Sequence, residues 1–317
     1  MNRHFLFLIK LFLLLIMSSK VATASPCETQ KFRMGSLKLA FLSDVDAKRV
    51  IYTADDFISR LNNLNRALRL MVNRNVSYNE YFDFVQKTVQ CWSQPEISEI
   101  LKSARILESK MQEINSQGFQ LSVYFVKNNG QDEGGAYYTR GNFVAVPKGR
   151  ISTSTLAHEF FHIFTRTHNH LKDRIYFLAG FYPQNISVPP ALSARLIINP
   201  DAPIMSHAIR VNYNNEVVEV VPLILSRVDV PQIDPQKPNF FSYVNLVLLS
   251  LSNSELIPVN KTNYFEVTGG NTNYIIHPEE IMADNFASLM TEENVPNKNL
   301  LLKLQSLLSR SRLNINR

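Results

Sequence analysis

Cysteine is nearly absent: Cys27 and Cys91 are the only two in 317 residues. They lack the spacing of a zinc thiolate pair, so they exclude a cysteine-based metal site and leave two alternatives, a single disulfide or two buried thiols. No run of lysine and arginine is interleaved with aromatics. The net charge of +6 and the pI near 9.2 therefore read as a solubility feature, and nucleic acid is not an expected partner. Long apolar runs are missing as well. YVNLVLLSL, residues 243–251, is too short and too interrupted for a bilayer, so no stable membrane span is expected in the mature chain. Neither an internal repeat nor a low-complexity tract appears.

What is present is an ordinary globular composition, 45% hydrophobic and 19% charged, enough for one large domain or two modest ones. The first residues have the layout of an export signal. Arg3 and Lys10 precede the apolar run Leu11 to Met17, and Ala22-Thr23-Ala24 fits a small-residue cleavage site. Residues 1–24 are thus expected to be removed from an exported protein, periplasmic or secreted.

Hydrophobic periodicity divides the rest. Steps of three and four predict helices over DDFISRLNNLNRALRLMV, SYNEYFDFVQKTVQCW and PEISEILKSARILESKMQEI. Pro95 opens the last of these and Gly118 stops it, and residues 25–95 form an N-terminal helical region. The period then falls to two, predicting a strand in FQLSVYFV and a hairpin in GAYYTRGNFVAVP that turns at Arg140-Gly141. Ser152, Thr153 or Ser154 can cap a following helix, and another is expected from about Leu171 to Gly180. The short apolar runs between 181 and 268 fit either strands or buried helices. A final helical region begins at Pro278.

The chemistry concentrates in TLAHEFFHIFTRTHNH, residues 155–170, which holds four of the seven histidines. On a helix, His158 and His162 share a face and can offer two imidazole nitrogens to one metal. Glu159 lies about 100 degrees around the axis, where its carboxylate reaches a water rather than the metal. The bland alternative is two core histidines in an aromatic helix.

A catalytic zinc requires a third protein ligand. His168 completes H-E-F-F-H-I-F-T-R-T-H, which resembles the extended metzincin pattern, and Ile204-Met205-Ser206 resembles that family's methionine turn. Thr165 stands where that pattern has glycine, however, and a β-branched residue is ill suited to the sharp helix exit. Downstream, NYIIHPEEIMADNFASLM places Glu280 and Asp284 on one helix face at i and i+4. Glu279 has Ala283 at that spacing, so the pattern favours Glu280 over its neighbour.

HEFFH followed by E-x-x-x-D resembles the gluzincins, the thermolysin-like zinc peptidases. The resemblance spans about residues 96–290 and is specific at those two motifs. It implies an α+β, zincin-like domain over 96–317 with a small mixed sheet, an active-site helix and a glutamate helix, preceded by extra N-terminal helices. It further implies Zn2+ held by His158, His162 and Glu280, Asp284 hydrogen-bonded to a ligand histidine, and Glu159 as general base toward a metal-activated water. The substrate would be a peptide or protein whose backbone pairs with the strand before the active helix, at Gly135 and Ala136. An oxyanion helper is usual in such sites; Tyr274 and His277 are the candidates, with Tyr264 behind them. Three other readings remain open. They are a non-catalytic zinc-binding periplasmic protein, a metzincin-type peptidase using His168, and an exported helical interaction protein without metal.

Overall fold

The computed structural model describes residues 27–311 apart from 235, 237 and 238; the expected signal segment, 1–24, lies outside the described residues. The protein is of mixed α+β class, with two sheets and eleven helices among the described residues. None of these helices is long and apolar enough to cross a membrane.

The first sheet comprises β1 (Gln30–Met34), β2 (Leu37–Phe41), β3 (Val89–Gln90), β4 (Ser122–Asn128), β5 (Tyr138–Arg140) and β6 (Phe143–Pro147). Its order is β1-β2-β4-β6-β5, with β3 paired to the far end of β4. The β2–β4 and β4–β6 pairs are parallel and the others antiparallel, so the sheet is mixed. Alternation assigns its two faces. Leu37, Leu39, Phe41, Val123, Phe125, Val144 and Val146 point into the main core, while Ala40, Tyr138, Phe143 and Ala145 point into a second cluster.

Helices cover both faces. Against the second cluster lie α1 (Asp44–Ile51), α2 (Asp56–Arg60), α3 (Asn63–Leu70) and α4 (Tyr78–Thr88). Against the main core lies α5 (Gln94–Ile114), opened by a capping box between Ser93 and Glu96. It is joined there by α6 (Thr153–Thr167), α7 (Lys172–Leu178), α10 (Pro278–Thr291) and α11 (Lys298–Arg310). The short helices α8 (Pro190–Ser193) and α9 (Tyr264–Val267) flank a second sheet.

That sheet is antiparallel, in the order β7 (Tyr182–Pro183), β8 (His207–Tyr213), β9 (Glu216–Ser226), β10 (Val244–Ser250) and β11 (Leu256–Ile257). It resolves the undecided apolar runs of 181–268 as strands. β-branched residues dominate VVEVV, and Ile209, Val211, Val220 and Leu248 of this sheet reach the main core.

Three expectations need correction. Residues 25–95 are not a purely helical region, because β1 and β2 lie there and β2 pairs with β4, across the expected boundary at 95/96. DDFISRLNNLNRALRLMV is two helices and not one. Asp55 and Asn62 each accept a backbone N–H three residues on, which starts a new helix at each, and Leu61 between them is extended. The hairpin is shorter than GAYYTRGNFVAVP implies: β5 begins at Tyr138 and the turn falls on Gly141 and Asn142.

The two cysteines form a disulfide, Cys27–Cys91, with Cα atoms 5.7 Å apart. It ties the entry to β1 to the segment between β3 and α5.

Candidate metal centre

Two packed helices build the site. In α6, Ser152 caps the first turn by accepting the Thr155 N–H, at 3.0 Å, and the helix then runs without interruption to Thr167. Its apolar faces (Leu156, Phe160, Phe161, Ile163, Phe164) are buried in the core, which leaves His158, Glu159 and His162 on the side facing α10. Helix α10 starts with Pro278 at its first position and His277 as cap, the imidazole Nδ1 accepting the Glu279 N–H at 3.0 Å. Phe161 and Phe286, with ring centres 5.4 Å apart, join the two helices behind the polar groups.

The ligand pair and the downstream glutamate converge. Glu280 Oε2 lies 3.0 Å from His158 Nε2 and 3.4 Å from His162 Nε2. One nitrogen from each histidine and one oxygen of Glu280 all fall within 4.8 Å of one another. The opposite ring nitrogens are engaged by carboxylates: His158 Nδ1 faces Asp284 Oδ1 at 2.7 Å, and His162 Nδ1 faces Glu279 Oε1 at 3.0 Å. Without a metal His158 donates from both ring nitrogens, to Asp284 and to Glu280; with one bound, a proton kept on each Nδ1 would leave the two Nε2 lone pairs to ligate it.

Glu279 is therefore not a partnerless neighbour. Its partners come from other elements than its own helix: His162 and the Thr165 hydroxyl of α6, and the Tyr176 hydroxyl of α7. Thr165, whose significance in the sequence was only that it is not glycine, is a donor to this carboxylate. Asp284 likewise accepts from Thr272.

A loop between α8 and β8 supplies groups that no spacing rule signals. Asn199 donates its side-chain amide to Glu280 Oε1, at 2.6 Å. Asp201 is buried, with Oδ1 3.9 Å from His162 Nε2, and it forms a second cluster of possible ligands with Glu159 and His162. Its Oδ1 accepts the backbone N–H of Thr139 at 2.6 Å and the Thr139 hydroxyl at 2.7 Å. Arg166 fastens the same loop through the carbonyl of Asp201. The sole sequence cue was the Asn199-Pro200-Asp201 turn in a proline-rich segment.

The electrostatics favour a bound cation. Glu159, Asp201, Glu279, Glu280 and Asp284 surround two histidines; Arg166 lies 4.0 Å from the Asp201 carboxylate and donates to Thr139 and to the Asp201 carbonyl. Burial opposes charge on His158, but its hydrogen bonds to Asp284 and Glu280 outweigh burial and hold the imidazole up to about 10. His162 is raised too: burial works against it, and the charges of Glu280 and Asp201 prevail. Burial, then the charge of Asp201, pushes the Glu159 carboxyl up to about 8. Two buried atoms, Glu159 Oε2 and His162 Nε2, have no hydrogen-bond partner. An orphaned imidazole nitrogen among anions is what a divalent cation satisfies, and a two-nitrogen, one-oxygen donor set suits zinc.

The cleft above these groups is about 300 Å³. Ala136 and Tyr137 form one wall and Tyr274 another, with His158, Glu159 and Glu280 at the base. Tyr274, 43% exposed, stacks loosely on His158 with ring centres 6.1 Å apart. Gly135 lies behind Ala136 in the turn that ends at the edge strand and does not line the cleft. His277 is buried as the α10 cap, its Nε2 3.4 Å from the Ile204 carbonyl, and Tyr264 is buried with its hydroxyl on the Ile275 carbonyl; neither lines the cleft. His168 ends α6 with its ring stacked on Phe164, 4.5 Å between centres, and belongs to neither ligand cluster.

Comparison with protein-family models, curated proteins and solved structures gave no match for this chain.

Proposed function

We propose that the protein is an exported, zincin-like zinc peptidase of the thermolysin-like kind. The observation that carries this reading is the convergence of His158, His162 and Glu280 beside a buried, unpartnered Glu159 oxygen at the base of a cleft. His158, His162 and Glu280 would hold Zn2+, which, when bound, supplies Lewis acidity toward a water and the scissile carbonyl. Glu159 takes the proton from the attacking water and delivers it to the leaving amine, a role helped by a carboxyl held near neutrality. Asp284 and Glu279 fix the two imidazoles. Ala136 and Tyr137, which line the cleft just ahead of the edge strand β5, would offer backbone to an extended peptide, and Tyr274, lining the same cleft, would supply a hydroxyl to the oxyanion. The disulfide supports export into an oxidising compartment.

One observation favours a second reading, a non-catalytic zinc protein: Asp201, with Glu159 and His162, forms a second cluster of possible ligand atoms beside the first. Metal analysis and peptide hydrolysis separate the two. The peptidase binds one zinc, loses activity on chelation, and as Glu159→Gln keeps its zinc while losing nearly all turnover. Stoichiometric zinc with no hydrolysis by the wild type selects the second reading. Glu280→Ala should lose zinc and His168→Ala should retain it; the reverse result would restore the metzincin-type assignment, and a zinc-free wild type would remove both peptidase readings.

A further inference from the structure

Glu279 and Glu280 are consecutive, both are buried, and both reach His162, one at Nδ1 and the other at Nε2. Either carboxylate has the chemistry of a zinc ligand. Leaving the helix about 100 degrees apart does not by itself decide which of them serves. The donors around each one differ, however.

Glu280 Oε2 faces the Nε2 atoms of both histidines, at 3.0 and 3.4 Å, while its other oxygen accepts the Asn199 amide at 2.6 Å. Glu279 is filled from elsewhere. Its Oε1 accepts from His162 Nδ1 at 3.0 Å and from the Thr165 hydroxyl, and its Oε2 accepts from the Tyr176 hydroxyl. Both oxygens are thus engaged, by donors on α6 and α7.

Packing aims the two hydroxyls. Thr165 is fully buried three residues beyond His162, on the same side of α6. Its single proton has one competing acceptor, the His162 carbonyl, which is farther away at 3.2 Å. Tyr176 is 2% exposed. Its ring stands edge-on to His207 of β8, with centres 4.7 Å apart, and to His277, with centres 6.1 Å apart. His277 also accepts the Glu279 N–H as the cap of α10. One imidazole therefore braces the tyrosine ring and ties down the backbone of the glutamate that the tyrosine holds.

We infer that Tyr176 and Thr165 are positioning residues of the metal centre. By engaging both oxygens of Glu279 they keep that carboxylate on the Nδ1 side of His162 and reserve the ligand position for Glu280. The inference rests on the metal-ligand assignment proposed above but not on peptide hydrolysis. Without these donors a buried carboxylate is left with unpaired oxygens, and a cation held by His162 is a charge that can satisfy them.

The test measures zinc affinity, by competition with a chelating dye, and the visible absorption of Co2+-loaded protein for Tyr176→Phe, Thr165→Val and their combination. Each single change should lower zinc affinity about 3- to 10-fold and the pair about 10- to 100-fold, with unchanged far-ultraviolet circular dichroism. The Co2+ bands of the double variant should shift as its ligand set changes. Thr165→Ser, which keeps the hydroxyl, should match the wild type. In a Glu279→Gln background the same changes should have almost no further effect, because they act through that carboxylate. Thr165→Val alone carries the comparison if the Tyr176 variants do not fold.

Wild-type affinity and Co2+ bands in the variants, or losses that persist undiminished in the Glu279→Gln background, overturn the inference and leave the metal centre standing. A wild type that binds no zinc overturns both. A zinc-binding wild type without peptidase activity defeats the peptidase reading alone.

Discussion

Glu279 Oε1 holds the Nδ1 side of His162 at 3.0 Å, one residue before the glutamate that faces the other side of the same ring. Consecutive residues of one helix thus serve a single histidine from two directions. Burial raises the Glu279 carboxyl, but the hydrogen bond and charge of His162 overcome it and bring the group down to about 2.

Replacing this carboxylate should weaken the metal without unfolding the chain. Glu279→Gln is expected to lower zinc affinity about 10- to 100-fold, measured by competition with a chelating dye, while far-ultraviolet circular dichroism is unchanged. Unaltered affinity would reduce Glu279 to a packing group.

Asp201 adds to burial in raising the Glu159 carboxyl. Removing its charge by Asp201→Asn favours ionised Glu159, whose carboxyl is raised by burial and by this neighbour. The acidic limb of kcat/KM against pH should move to lower pH. A limb that stays in place would show that burial alone controls Glu159.

Away from the metal, Asp132 is a pH-dependent liability. Burial, then the charge of Glu133, raises it from 3.8 to about 7, and its Oδ1 has no hydrogen-bond partner. The folded state therefore holds this proton more tightly than the unfolded state. The associated stability is complete below the unfolded value and is lost as pH rises through about 7. Asp132→Asn should flatten the stability profile across that interval and raise stability at pH 8 by about 1–3 kcal/mol, read from denaturant midpoints. A variant less stable than wild type at pH 8 would contradict this.

The disulfide closes a segment of 64 residues. Cys27→Ser combined with Cys91→Ser should cost about 2–4 kcal/mol in urea unfolding, and a reductant should destabilise the wild type to a similar extent. Little change would mean that the β1–β2 hairpin is held by its sheet contacts alone.

What could be read from the sequence was local. Spacing within one helix puts His158 with His162 and Glu280 with Asp284, and the structure brings the two pairs together. Period-two alternation marks β4, where Val123 and Phe125 are buried and Ser122 and Tyr124 exposed, whereas β6 is buried along its whole length and reads as a short continuous apolar run. Groups that depend on tertiary approach left no such mark. Glu279 finds its partners on α6 and α7, and Asp201 arrives from a loop whose only sequence cue was a turn dipeptide. The break at Asn62 was missed for another reason: apolar spacing continues across it, while the side-chain cap that restarts the helix is a competing local bond.

The position of β2 bears on how such a protein can be kept silent. Leu37, Leu39 and Phe41 are buried, Phe41 stacks on Phe125 at 4.8 Å, and β2 runs parallel to β4 inside the sheet. Proteolytic excision of 27–95 would take away a strand that the sheet needs, so this segment is not a detachable inhibitor. Residues 27–95 are therefore built into the same sheet as β4 and β6, and the two helices of the candidate metal centre pack on the core that this sheet completes.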